Sequence, residues 1–105
     1  MKKKTKQVER IETMESNMNE VNAVLEETIK ATKKLKRVMK KYDAVSKYYG
    51  SQDWFDDAQA YSEGKLPEDL SCGVLSEDLP YDVIGDMYYY ALSQLEFVTN
   101  FLKKH

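Results

Sequence analysis

The fold is decided by residues 7–48, which read QVERIETMESNMNEVNAVLEETIKATKKLKRVMKKYDAVSKY. Apolar or small residues recur in this stretch at alternating steps of three and four, a spacing that keeps one face of an α-helix apolar. These positions, called the stripe below, are Ile11, Met14, Met18, Val21, Leu25, Thr28, Thr32, Leu35, Met39 and Tyr42. Because no Gly or Pro interrupts the stretch, the sequence predicts one unbroken helix roughly 60 Å long. Another surface must cover its stripe.

Two shorter helices are predicted after the long one. Gly50 suits the left-handed residue that ends a helix, and Ser51 is a good N-cap for a second helix over about residues 52–63. A third helix is predicted over about 77–102, with Ser76 as its N-cap and Gly85 in its interior. Since Gly in a helix costs about 1 kcal/mol relative to Ala, Gly85 suggests that another helix approaches closely there. Residues 1–6 are predicted to be disordered.

The predicted fold class is all-α, and residues 1–105 form a single domain. Its architecture is an antiparallel three-helix assembly in which two shorter helices pack on the long amphipathic N-terminal helix. If the two shorter helices lie side by side, they leave the stripe bare from Ile11 to Val21, because they are too short to reach its whole length. A second chain would then bury that part, so the sequence also predicts a coiled-coil type of homodimer.

Composition and charge limit the classes of function. Charged residues make up 32% of the chain and hydrophobic residues 42%, and no apolar run approaches the ~20 residues of a membrane span. The single cysteine, Cys72, excludes an internal disulfide and is typical of a reducing compartment. The expected location is therefore the cytoplasm, without membrane binding. All twelve Phe, Tyr and Trp residues lie at Tyr42 or later, so the aromatic side chains are confined to the second part of the chain.

A catalytic site is not expected. The only histidine is His105, the last residue, where no group is expected to hold it in place. Cys72 lies among Leu, Val and Gly, which favours a small buried side chain over a reactive thiol. Four carboxylates have helical spacings that a hard cation accepts, although the favoured interpretation is a solubilising surface. They are Asp53, Asp57, Asp82 and Asp86. No metal or other cofactor is predicted.

Two sets of residues are candidates for an interaction surface. The first combines the start of the stripe with aromatic residues near the start of the second helix and within the third helix. It consists of Ile11, Met14, Met18, Val21, Tyr48, Tyr49, Trp54, Tyr89 and Tyr90. Within it, Trp54 is favoured as a core residue, whereas Tyr89 and Tyr90 are equally balanced between core and surface. Three consecutive helical residues span about 200°, so at least one of Tyr88, Tyr89 and Tyr90 must be partly exposed.

The second set is a basic strip on the side of the long helix opposite the stripe. It consists of Lys30, Lys33, Lys34, Arg37, Lys40 and Lys41. Such a strip can bind nucleic acid or another anionic surface. The alternative, which is favoured, is a solvated face whose cations suit the carboxyl-terminal half of the helix. Overall the chain is acidic, with a net charge of −2.

Three sequence motifs resemble those of a known family. They are Arg10-Ile11-x-x-Met14-Glu15, Tyr48-Tyr49-Gly50-Ser51-x-x-Trp54 and Cys72-Gly73-Val74-Leu75-Ser76-Glu77-Asp78. In these motifs the chain resembles an uncharacterised domain-of-unknown-function family of short proteins from low-GC Gram-positive bacteria. The resemblance extends from about residue 9 to residue 102. It implies an all-helical fold and a bacterial cytosolic protein, and it implies no activity.

Three hypotheses for the function follow, in order of preference. The first is a small non-enzymatic module that binds a protein partner or itself through helix faces. The second is a binder of nucleic acid or an anionic surface through the basic strip. The third is a metal-dependent enzyme built on carboxylates. The sequence itself leaves the function unknown.

Overall fold

The computed structural model describes residues 3–105 and is all-α over that range. Helix α1 covers Lys6–Tyr48, α2 covers Gln52–Ser62 and α3 covers Asp78–Lys104. A single 3₁₀ turn, Gly73–Leu75, lies between α2 and α3. The all-α prediction is confirmed for these residues, and each helix bound lies within two residues of its predicted position. Of the residues 1–6 that are predicted to be disordered, Met1 and Lys2 lie outside the described residues. Residues 3–5 have no regular secondary structure, and Lys6 is the first residue of α1.

The helix ends are fixed by side chains that the sequence predicts and by one that it does not. The Ser51 hydroxyl accepts a hydrogen bond from the Trp54 backbone N–H at 3.2 Å, as expected of the N-cap of α2. The Ser76 hydroxyl accepts one from the Leu79 N–H at 3.1 Å at the start of α3. At the start of α1, Thr5 Oγ1 accepts from the Val8 N–H at 3.2 Å, which explains why the helix begins inside the segment predicted to be disordered.

Glycines end the first two helices, and a third glycine has no such role. Gly50 has φ +79° and Gly64 has φ +70°, the left-handed conformation in which other L-residues are strained. Gly85 lies inside α3, and a Cβ built on it would meet nothing within 4 Å. The expectation that Gly85 marks a close helix approach is therefore wrong, because there is open space beside its Cα.

Contacts within the chain divide it into two compact units, one ending at Lys40 and one covering Lys41–His105, where the sequence predicts a single domain over residues 1–105. The first unit is helical throughout from Lys6. The second contains the last turns of α1 together with α2, the 3₁₀ turn and α3. Its core is small, since Trp54 and Pro80 are the only buried residues in the described part of the chain.

Candidate functional site

The best-packed part of the second unit is the surroundings of Trp54. The indole is 6% exposed, and its Nε1–H donates to the Val74 carbonyl at 2.9 Å. The Tyr49 and Phe55 rings meet it edge to face, each with a centroid separation of 5.1 Å. Edge-to-face contact is the preferred geometry of aromatic pairs. Trp54 is thus a core residue, and its burial removes it from the candidate interaction surface.

Tyr49 is half-buried and ties the end of α1 to the start of α3. Its hydroxyl donates to the Glu77 carbonyl at 3.0 Å, across 28 residues of sequence. This bond and the indole bond to Val74 both end on the segment just before α3. Tyr49 therefore has a structural role within the second unit.

Tyr48 makes a strong hydrogen bond of its own. The hydroxyl donates to Asp57 Oδ2 at 2.5 Å, and this bond to the carboxylate raises the pKa of Tyr48 to about 12, with smaller contributions from desolvation and from nearby negative charge. The ionised phenolate would lose the bond and face the Asp57 charge. One carboxylate oxygen of Asp57 is thereby engaged with a phenol.

Cys72 lies at a concave region between α2 and the 3₁₀ turn. Its thiol is half-buried and donates to the Leu70 carbonyl at 3.4 Å. The region is an open cavity of about 770 Å³. Apolar side chains line it together with Cys72, and they include Leu66, Leu70 and Leu75. The contact with the Leu70 carbonyl is that of a small side chain with a weak donor.

The tyrosines of α3 lie on its surface. Tyr88, Tyr89 and Tyr90 are all exposed, and Tyr89 has the largest exposed fraction, 78%. The prediction that at least one of them is exposed is confirmed. Further along α3, large apolar side chains are also exposed on more than one side of the helix, among them Leu92, Leu95 and Phe97. A helix with apolar residues on several sides typically packs against several neighbours. This pattern in the sequence could have indicated that α3 has apolar surface beyond a single face.

The stripe of α1 is exposed over the first unit. Ile11, Met14 and Met18 are each 57% or 58% exposed, and Val21 is 66% exposed. Val8, Val24, Leu25 and Ile29 are also exposed, whereas Leu35 and Met39 are half-buried. The structure thus brings the four candidate stripe residues onto one exposed helix face.

The six members of the basic strip are exposed as well. Arg37 Nε donates to the Lys33 carbonyl at 3.5 Å within the helix. The ion pairs found in residues 3–105 join Lys4 to Glu12 and Lys65 to Glu63, and neither involves the strip. Its charge is thus directed to solvent.

The acidic residues do not converge. Within residues 3–105, no group of three or more His, Cys, Asp or Glu side chains is placed to share a metal ion, and this includes Asp53, Asp57, Asp82 and Asp86. The His105 ring stacks on Phe101 with a centroid separation of 4.7 Å, so a neighbour does hold this histidine, contrary to expectation. None of the helices in this range is both long and apolar enough to cross a membrane.

Comparison with known proteins places the chain in a family. Residues 11–97 match the family described as "Domain of unknown function (DUF4298)". The chain belongs to the DUF4298 family. The match includes the Tyr48–Trp54 and Cys72–Asp78 motifs and most of α3, and the function of this domain is unknown. A search of the curated proteins finds no match to the chain.

Proposed function

We propose that this DUF4298 protein is a small non-enzymatic interaction module that binds a helical protein partner along the stripe of α1. The observation that carries the proposal is the exposure of the stripe from Ile11 to Leu25. Single exposed apolar residues are common on soluble proteins, but a continuous apolar face is characteristic of a binding surface. An amphipathic helix binds another through residues spaced in this way.

The proposal includes the finer architecture predicted from the sequence. In it, α1 is an amphipathic helix of coiled-coil type, and the three helices run antiparallel. Gly50, in the left-handed conformation, ends α1 and lets the chain turn before α2 begins at Gln52. This turn supports a reversal of chain direction between the two helices. The proposal also assigns the protein to the bacterial cytoplasm, which the resemblance of its motifs supports.

Nucleic-acid or anionic-surface binding through the basic strip is the second candidate. The exposure of all six side chains supports it, and a net charge of −2 opposes it. Binding of this kind weakens steeply as salt is added, because counterions are released from the nucleic acid. A gel-shift series at rising salt, with Lys33→Glu and Arg37→Glu as variants, separates this candidate from the first. A metal-dependent carboxylate enzyme ranks third, and a thermal shift with Mg²⁺, Mn²⁺ or Ca²⁺ tests it.

Site-specific photo-crosslinking in cells that make the protein tests the first candidate. A photoreactive amino acid is placed at Met18 on the stripe or, as a matched control, at Ser16 on the opposite side of the same turn. Both positions are exposed in the single chain. We expect a discrete protein adduct from Met18 and none from Ser16. Equal labelling at the two positions, or no adduct from Met18, would contradict the proposal.

A further inference from the structure

A second apolar surface lies on α3. Six residues, called the α3 face below, recur at alternating steps of four and three, so they share one side of the helix. They are Ile84, Tyr88, Ala91, Leu95, Val98 and Leu102. Ile84 is half-buried, and the other five are exposed. The proposed function does not use this surface, because it concerns the stripe of α1.

The edges of the α3 face carry no charge. The residues that flank it on the two sides are Gly85, Met87, Leu92, Gln94, Thr99 and Phe101. Between Ile84 and Leu102 the charged residues are Asp86 and Glu96, and each projects more than about 100° from the centre of the face. Charges at the edges of such a face select the partner helix, and like charges oppose pairing with an identical helix. An uncharged edge therefore favours self-pairing over a charged partner.

We propose that α3 docks, face to face and antiparallel, on α3 of a second copy of this chain. The α3 face is symmetric about the level of Ser93, so an antiparallel pair centred there places Ala91 of each copy against Leu95 of the other. A small residue opposite a large one fills the interface on both sides of the two-fold axis. A parallel pair in register would place Ala91 against Ala91 and leave a gap.

The two-fold axis brings two edge residues beside their own symmetry mates. Leu92 lies beside Leu92 of the second copy at one edge, and Gln94 lies beside Gln94 at the other. Both residues are exposed in the single chain. A glutamine amide carries two donors and an acceptor, so the two Gln94 side chains can hydrogen-bond each other reciprocally. The polar side chain at the axis is thereby paired within the dimer.

The exposed area of α3 approaches what a stable dimer buries. Large apolar side chains of the α3 face and its edges are between 45% and 68% exposed. They are Tyr88, Leu92, Leu95, Val98, Phe101 and Leu102. If each loses on the order of 100 Å² on docking, these residues alone bury roughly 600 Å² per copy. Since specific interfaces bury about 800 Å² per partner, we expect a monomer–dimer equilibrium.

Exchange of the two central residues tests the register. Ala91→Leu sets two leucines against each other and Leu95→Ala leaves a gap, so each alone should raise the dimer dissociation constant roughly tenfold. The combined variant again places a small residue opposite a large one, and its dissociation constant should return to within about threefold of the original. Sedimentation velocity over a concentration series measures these values. Failure of the combined variant to recover dimerisation, with its helix content retained, would overturn the inference.

A charge placed on α3 tests which side of the helix is used. Leu95 and Phe97 are both 64% exposed, but Phe97 lies roughly 140° from the centre of the α3 face. Leu95→Glu should raise the dissociation constant more than about tenfold, because docking would bury an unpaired carboxylate in each copy. Phe97→Glu, and Met18→Glu on the stripe of α1, should change it less than about twofold. A larger effect of either control would place the self-association on another surface and overturn the inference.

Thiol crosslinking of purified protein tests the orientation. Gln94→Cys, Leu102→Cys and, on the opposite side of α3, Ser93→Cys are made separately in a Cys72→Ser background and treated with a short bifunctional maleimide. The antiparallel pair places the two copies of residue 94 side by side and separates those of residue 102 by about 27 Å along the helix. We expect a crosslinked dimer from Gln94→Cys alone. Crosslinking through Leu102→Cys, or its absence from Gln94→Cys, would overturn the inference.

The α3 dimer and the proposed function fail separately, since they use different helices. A chain that stays monomeric up to about 100 µM would overturn the dimer. A discrete Met18 adduct in cells would still support the interaction module on α1 in that case.

Discussion

At the scale of single residues, the second unit depends on the Trp54 side chain. Trp54→Phe keeps most of the ring but removes the donor to the Val74 carbonyl. We expect it to lower the free energy of unfolding by about 1–3 kcal/mol, because a partly buried carbonyl loses its partner. Chemical denaturation followed by circular dichroism measures the change. Phe55→Leu is the control, since Phe55 is 56% exposed and should cost less; equal effects would refute the central role of the indole.

Tyr48 predicts a loss of stability at alkaline pH. Its pKa of about 12 in the folded chain exceeds the ordinary value of 10.0, so the neutral phenol is favoured by folding. The resulting stabilisation is fully present below pH 10 and is lost as the pH rises through about 12. Between pH 9 and about pH 12, the melting temperature should therefore fall more steeply for the unmodified chain than for Tyr48→Phe. Tyr61→Phe, at an exposed tyrosine of α2, should retain the original slope.

At the scale of helices, two glycines should respond in opposite ways to the same substitution. Gly50→Ala places a side chain at φ +79° and should destabilise the protein by about 1–2 kcal/mol. Gly85→Ala lies inside α3 with open space around its Cβ and should stabilise it by up to about 1 kcal/mol. Melting temperatures of the two variants measure the contrast. A loss of stability in both would mean that the Gly85 position is more crowded than its geometry shows.

The helices themselves could be predicted from sequence because their signals are local. Ser51, Ser76, Gly50 and Gly64 act within a few residues of where they stand, and the three-four spacing defines α1 without any knowledge of its neighbours. The surfaces could not be predicted as well. Whether Met14 or Leu95 is covered depends on contacts distant in the chain or in another molecule, which periodicity does not encode. The same limit applies to Trp54, whose hydrogen bond spans 20 residues.

At the scale of the whole molecule, a small core predicts a stability that depends on concentration. Trp54 is the only buried hydrophobic side chain in the described residues other than Pro80, whereas large apolar residues along α1 and α3 are exposed. Association would bury part of that surface and add to the free energy of unfolding. We expect the melting temperature to fall by several degrees over a hundredfold dilution. Calorimetry at several concentrations measures it, and a constant melting temperature would argue against coupling between association and folding.

The position of Trp54 also makes it a convenient intrinsic fluorescence probe. It is the only tryptophan, it is almost completely shielded from water, and it lies within Lys41–His105. Its fluorescence emission therefore reports on that unit, whereas α1, the longest helix, contributes strongly to the far-ultraviolet circular dichroism. Loss of the ellipticity of α1 before the emission shifts to longer wavelength would reveal that the two units melt independently. A ligand that quenches the indole without changing the ellipticity would be assigned to the second unit.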